Sequence, residues 1–231
     1  MLALTPVAPT MSLQLHLQYT NIRSGGHSGA ALLRTGLWMP YVLLPGIQAP
    51  NMGSIVITGL RFQTLHLPGQ SDTGINDISL VDLAVHNFGW GGVALGPGLI
   101  FPAATSPLLG RGKLQIGPAG AVGSGRLRPF VLTLGFFNAF SVAGAPDRPN
   151  VSTLFLTPVI GYLLPKAFYL RFDPLWTFDW IRGGHATLPV NLAVGHAFNP
   201  SATAEVQPEW VTTGDLQNSF TVRLILNYMG W

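Results

Sequence analysis

The sequence contains no cysteine, which removes disulfides, thiolate metal sites and cysteine nucleophiles from consideration. Charge is almost as scarce. Asp, Glu, Lys and Arg make up 9% of the 231 residues, against about 25% in a soluble domain. The twelve basic and nine acidic residues form neither a basic cluster nor an acidic tail, so no concentrated cationic face exists for a nucleic acid to bind. Long apolar runs are also missing. Hydrophobic residues reach 48%, yet Gly, Pro or polar residues interrupt every segment before the roughly 18 residues that a transmembrane helix needs. The six histidines are scattered, with no His-Glu-x-x-His pattern, and no spacing sets a nucleophile beside a base and an orienting acid. No cofactor or metal is expected, and no enzymatic centre. The glycines from Gly91 to Gly98 precede no helical pattern and do not make a nucleotide loop.

What is present is alternation. From Lys166 to Trp180 the chain reads KAFYLRFDPLWTFDW. Phe168, Leu170, Phe172, Pro174, Trp176, Phe178 and Trp180 fall on one parity; Tyr169, Arg171, Asp173, Leu175, Thr177 and Asp179 fall on the other. A strand sends these two sets to opposite faces, whereas a helix would mix them. One strand of this kind occurs most often in a soluble sandwich, so recurrence decides. It recurs throughout: Ser12 to Tyr19, Ala31 to Met39, Gly53 to Leu65, Asp77 to His86, Val93 to Phe101, Lys113 to Val122, Phe130 to Phe136, Leu154 to Tyr162, Thr187 to Gly195, Glu205 to Trp210 and Phe220 to Tyr228. Around Asp82, Ile78 and Leu80 share its parity, which predicts a bulge there.

High hydrophobicity, about twelve two-faced strands of membrane-crossing length and no helical span together predict an all-β fold: a closed antiparallel up-and-down transmembrane β-barrel, as a single domain over residues 1–231. Residues 1–10 carry no positive n-region and read as an N-terminal extension of a mature or truncated chain rather than a signal peptide. Short and long connections alternate, which places both termini on the periplasmic side of a bacterial outer membrane. Tyr41 to Asn51 is the exception, a long connection where a short one is expected. Six prolines inside the strands (Pro97, Pro118, Pro158, Pro174, Pro189 and Pro208) oppose the scheme, since each removes a ladder hydrogen bond.

Motifs in the turns carry a resemblance. Gly74-Ile75-Asn76-Asp77-Ile78, Gly96-Pro97-Gly98, Phe101-Pro102-Ala103-Ala104-Thr105, Gly110-Arg111-Gly112-Lys113, Phe140 to Gly144, Asp147-Arg148-Pro149-Asn150-Val151, Leu188-Pro189-Val190 and Gly195-His196-Ala197-Phe198 together resemble the outer-membrane barrel family named for the meta-cleavage pathway of phenol degradation. The resemblance covers Gly53 to the end. It implies an outer-membrane barrel that takes up small, hydrophobic or aromatic compounds. Two positions depart from the pattern: Asn76 stands where Gly is expected, and His196 where a cationic residue is expected.

The polar parity supplies the candidate pathway: His16, Arg34, Arg61, Gln63, Lys113, Gln115, Arg171, Asp173, Asp179, Glu205, Glu209 and Arg223, with Gln14 and Asn191 beside them. These side chains either line a wet channel or neutralise one another in a narrow interior. Phe168, Trp176, Trp180, Trp210, Tyr228 and Trp231, with Trp38, are candidate girdle residues at the headgroup level. The expected partners are outer-membrane lipids, a small-molecule solute and the barrel-assembly machinery, for which the aromatic-rich final strand is the signal. The competing functions are an outer-membrane acyl-ester hydrolase and a barrel that transports nothing.

Overall fold

The computed structural model describes residues 11–44 and 47–230; the extension expected at 1–10 lies outside them, and so does Trp231. The chain is all strand and turn. In order it forms β1 (Met11–Ile22), β2 (Gly26–Leu44), β3 (Ile47–Leu67), β4 (Gln70–Ile75), β5 (Ile78–Phe88), β6 (Gly91–Phe101), β7 (Lys113–Ser124) and β8 (Phe130–Gly144). There follow β9 (Ser152–Leu163), β10 (Phe168–Phe172), β11 (Trp176–Asp179), β12 (His185–Thr187), β13 (Pro189–Asn191), β14 (Ala193–Asn199), β15 (Ala202–Val211) and β16 (Phe220–Gly230).

These sixteen segments make twelve crossings of one wall. β4 and β5 both pair with β3, β10 and β11 both pair with β9, and β12 to β14 share one crossing between β11 or β10 and β15. Every pairing is antiparallel. The wall closes where β1 meets β16, in unbroken register from Met11 opposite Gly230 to Asn21 opposite Phe220. The fold is therefore a closed twelve-stranded antiparallel barrel, in which β4, β12 and β13 keep a strand partner on one side only.

The faces are inverted relative to a soluble protein. Leu95, Leu192, Val194, Val206 and Leu224 point outward and stay 56%, 49%, 51%, 52% and 40% exposed, whereas Glu205 and Gln207 point inward at 2% each. A sandwich would hide Leu192 and Leu224 between its sheets. An apolar belt on this scale is stable only against an apolar surround, so lipid is its solvent.

Three expectations about connections change. β2 and β3 run nineteen and twenty-one residues, with Leu44 paired to Ile47, so the long connection at Tyr41 to Asn51 is strand, and only residues 45–46 separate the two strands. The same holds at the other end, where β1 and β2 flank residues 23–25, and β3 and β4 flank Pro68-Gly69. The longest loops, 102–112, 145–151 and 212–219, lie with 180–184 at the end of the barrel away from the termini, and 125–129 is the longest connection at the other end. The bulge expected near Asp82 does not form. β5 follows β3 without a shift from Ser79 to His86, and Asp82 keeps its parity and faces outward, where it accepts a hydrogen bond from Ser54 Oγ.

The prolines explain where the wall is interrupted. Pro97 and Pro118 stand opposite each other between β6 and β7, in a continuous stretch of ladder. Their missing N–H groups point away from that pair, toward the outer neighbours. There the ladders have gaps, at Asp82 and Leu83 between β5 and β6 and at Asn138 and Ala139 between β7 and β8. Pro208 acts likewise: its carbonyl accepts from Leu192 N at 3.3 Å, but it has no N–H to return, and the strand is broken between β13 and β14 at Leu192. Pro174 lies in the break between β10 and β11.

Candidate functional site

Parity places all twelve candidate pathway residues on the inner face. They do not form one lining. Arg171, Asp173, Glu205, Glu209 and Arg223 make a closed network on β10, β15 and β16. Arg171 Nη2 lies 2.7 Å from Glu205 Oε2 and 3.3 Å from Asp173 Oδ2. Tyr169 Oη and Asn227 Nδ2 both donate to Glu205 Oε1, at 2.9 and 3.0 Å. Arg223 grips Glu209 with two nitrogens at 2.5 and 2.8 Å and donates to Gln207 Oε1 at 2.9 Å. Gln207 Nε2 donates to Asp173 Oδ1 at 2.5 Å. Asn191 completes the ring, donating to Glu209 and accepting from the backbone N of Asp173 at 2.9 Å.

This ring sits against the interrupted part of the wall. Asp173 opens the gap before Pro174, and its N–H, without a ladder partner, is taken by the Asn191 side chain. Nearby, Trp176 faces outward and its indole donates to the carbonyl of Pro189 at 3.1 Å. Side chains thus replace the backbone bonds that proline removes, which satisfies groups that could not be left bare at this depth. Tyr169 lies flat in the wall because Gly195 faces it: a Cβ at Gly195 would fall 2.3 Å from the ring.

Gln63 and Asp179 have structural roles. Gln63 donates to Ser28 Oγ at 2.8 Å and accepts from Asn76 Nδ2 at 3.0 Å. Asp179 Oδ1 accepts from the backbone of Ile181 and Arg182 and turns the 180–184 loop. Lys113 and Gln115 are buried near the loop end of β7. His16, Arg34 and Arg61 lie on β1 to β3, outside the ring. Arg34 points inward yet is exposed, so the lumen beside it holds water-accessible space.

The other half of the interior is apolar. Leu83, Val85, Ala94 and Ala119 form a buried cluster, against which Trp38, Ile55, Val81, Ala121 and Phe137 pack. Phe137 stacks on Phe155 with centroids 5.9 Å apart. Trp38 therefore belongs to the inner wall rather than a girdle; a Cβ on Gly53 would meet its ring at 2.3 Å. The sequence conceals this side because β6 and β7 carry small or apolar residues on both parities.

Of the girdle candidates, Phe168 packs against His196 at 4.5 Å, and His196 against Phe198 at 5.0 Å, at the end of the barrel nearer the termini. Tyr228 is outward at that same end. Trp210 and Phe220 lie 5.9 Å apart at the loop end, where Trp180 Nε1 donates to Asn138 Oδ1 at 3.0 Å. Trp231 falls outside the described residues.

Four of the motifs behind the family resemblance, at 74–78, 101–105, 110–113 and 147–151, meet at the barrel mouth. Asp77 accepts from the backbone N of Arg111 at 2.8 Å and of Ala104 at 3.3 Å; Asn76 Nδ2 donates to Leu109 O at 2.8 Å. Arg148 Nη2 donates to the carbonyls of Pro107 and Gly110, each at 2.6 Å. Gly74 faces inward, and a Cβ there would collide with Thr105, with Leu109 Cδ1 at 3.4 Å. Loop 102–112 therefore lies on the inner side of β4, folded into the mouth. Asn76 does not adopt a left-handed backbone, so the departure from Gly is accommodated, and its amide supplies bonds that glycine lacks.

No family model matches the sequence, and no curated protein matches it significantly. Solved structures match its fold. The COG4313 outer membrane channel from Pseudomonas putida F1 aligns with a TM-score of 0.71 at 11% identity, over 96% of each chain. The NanC porin aligns at 0.61 and 9% identity, over 94% of this chain and 98% of its own. Outer membrane phospholipase A from Escherichia coli aligns at 0.55 and 11% identity, over 96% and 91%. At such identities the likeness establishes the architecture these barrels share.

Proposed function

We propose that the chain is an outer-membrane channel for small solutes with an apolar, in part aromatic, body. One observation carries this reading: inside the closed wall, inward-pointing Arg34 is open to water on a charged half of the interior, across from an apolar half built around Leu83, Val85 and Phe137. A barrel that served only as a scaffold would have no use for water beside an unpaired guanidinium. Loop 102–112 narrows the mouth, so the passage suits small molecules rather than polymers. The architecture it shares with the COG4313 channel and the NanC porin supports the same reading. So does the resemblance to the meta-pathway family, whose motifs build the loop anchor.

In this orientation the termini and short turns face the periplasm, the 102–112, 145–151, 180–184 and 212–219 loops face outward, and β16 presents its alternating Phe220 to Tyr228 face to the assembly machinery and then to lipid. The lipid-hydrolase alternative gains nothing from the wall: Ser54 on the outer face donates to Asp82 rather than to a histidine.

Purified protein refolded in detergent should migrate heat-modifiably and, in planar bilayers, give discrete conductance steps. Proteoliposomes should swell in small neutral solutes and not in oligosaccharides. Folded protein that gives neither current nor swelling would make it a structural barrel, and acyl-ester hydrolysis lost on Ser54→Ala would make it an enzyme.

A further inference from the structure

We infer that Arg34 and Arg61 form a carboxylate-binding wall inside the barrel, and that the solute it takes is an amphipathic monocarboxylate, with an acid head and an apolar or aromatic body. This rests on the channel reading above and names its substrate class.

The inference begins with an accounting of charge. In the central lumen, four guanidiniums (Arg34, Arg61, Arg171 and Arg223) face three carboxylates (Asp173, Glu205 and Glu209). All three acids are committed: Glu205 and Asp173 to Arg171, Glu209 to Arg223. Among the described residues neither Arg34 nor Arg61 has an ion pair, and Arg61 Nε is buried with no hydrogen-bond partner. A buried donor without an acceptor costs free energy that a bound acceptor returns. The surplus is one positive charge, which a monoanion neutralises. A dianion would face the three carboxylates opposite: Arg34 looks across to Asp173, and Arg61 to Glu209.

Placement supports the same head group. Arg34 pairs with Gln14 and with Gly59, and Leu32, two residues away on the same face, pairs with both His16 and Arg61. The two arginines are thus diagonal neighbours on adjacent strands, a spacing their long side chains span. Gly59, opposite Arg34, puts no side chain of its own between them; the space over it is taken by Ser79 Oγ, 2.6 Å from where a Cβ would stand. Two planar guanidinium forks on one face of adjacent strands, one of them open to water, suit a carboxylate, which accepts bidentately.

The apolar body has its own surface. Below Arg61 on the same face of β3 come Gly59, Ile57 and Ile55, opposite Ser79, Val81 and Leu83 of β5. Below Arg34 on β2 come Gly36 and Trp38. A solute held by its acid therefore lies along the Leu83 cluster, with its ring or chain out of water.

The test uses the full chain in detergent micelles at pH 7.5, titrated calorimetrically with phenylacetate, with phenylacetamide, which lacks the charge, and with acetate, which lacks the ring. Wild type should bind phenylacetate at least about tenfold more tightly than either, the effect of about one charge-assisted contact. The R34Q/R61Q variant, confirmed folded by heat-modifiable migration, should bind acid and amide alike while amide affinity stays at its wild-type value. Wild type alone gives a second measure in planar bilayers: phenylacetate in the bath should block current at concentrations where phenylacetamide does not. Equal affinity of wild type for acid and amide, or an acid preference that survives in R34Q/R61Q, overturns the inference. Absence of current with every solute would instead sink the channel reading, while an acid preference in the titration would stand.

Discussion

Removing Glu205 should destabilise the barrel by about 3–5 kcal/mol, although no backbone bond is lost. Its carboxylate is the hub of the interior network: Oε2 is 2.7 Å from Arg171 Nη2, and Oε1 accepts from Tyr169 and Asn227. The side chains of Arg171 and Glu205 are 10% and 1% exposed. Deleting one member of a buried ion pair costs about 3–5 kcal/mol, because the other charge stays buried. Here Asp173 at 3.3 Å still partners Arg171, which pulls that figure to the low end. The hydroxyl of Tyr169 then loses its acceptor, at about 1 kcal/mol, while Asn227 Nδ2 still donates to Thr203 Oγ1 at 2.9 Å. Glu205→Ala should therefore fall near the middle of the range. Glu205→Gln keeps an acceptor for Tyr169 and Asn227 and should cost about 2 kcal/mol. The decisive variant is R171M/E205L, which removes both charges and with them their desolvation penalty but leaves Tyr169 without its acceptor and Asp173 held by Gln207 and not by Arg171, so it should cost about 2 kcal/mol, well under the sum of the two single variants. Urea unfolding in phospholipid vesicles, followed by tryptophan fluorescence and extrapolated linearly, gives these differences. Glu205→Ala indistinguishable from wild type, or R171M/E205L as damaged as the two single variants summed, would refute the reasoning.

Gly195→Ala should cost about 1–3 kcal/mol, because the new methyl would sit 2.3 Å from the Tyr169 ring, and adding Tyr169→Leu should recover part of the loss in the same unfolding assay. Asp77→Ala removes the acceptor for the backbone of Ala104 and Arg111 and frees loop 102–112, so single-channel conductance should rise and protease should cut the loop in folded protein; unchanged conductance would show that the loop does not constrict the mouth. On the outer wall, Asp82→Leu should raise the unfolding midpoint, since an acid on the lipid face is destabilising; a lower midpoint would mean that the Ser54 bond matters more. At the loop end, Arg182 holds Asp215 at 2.5 and 3.0 Å and keeps its carboxyl below the usual carboxylate range. A depressed folded value means that the contact is complete above the ordinary carboxylate range and lost only as pH falls through that lowered value. Protease sensitivity of the 180–184 and 212–219 loops should thus stay flat from pH 7 to about 5 and rise at lower pH, and Asp215→Asn should abolish that step.

Strand faces were legible because a lipid-facing wall imposes a period of two: Phe168, Leu170 and Phe172 alternate with Tyr169, Arg171 and Asp173, and Phe220, Val222 and Leu224 with Thr221 and Arg223, while the rule lapses at the break between β10 and β11, where Pro174 is buried and Leu175 is exposed. What stayed hidden has two physical causes. The first is that parity assigns a face but not its neighbours. Arg171, Glu205 and Arg223 stand on the inner face by the same rule as Arg34 and Arg61, yet three are bonded into a ring and two are not, and only the barrel's closure decides which side chains meet. The second is that parity is silent where both faces are apolar, as in β6 and β7, so the greasy inner wall and the inward turn of Trp38 could not be read. The prolines belong to neither case. Each was visible, and each read as an objection to the strand that holds it. In an antiparallel wall, however, a missing N–H harms only the neighbour toward which it points, so Pro97 and Pro118 can share one intact ladder while opening gaps on their far sides. Pro174, Pro189 and Pro208 open the wall where the Asp173, Asn191 and Glu209 side chains close it again. The charged network is thus the counterpart of the prolines: the wall there is held by side chains, and Arg34 and Arg61 stand outside it.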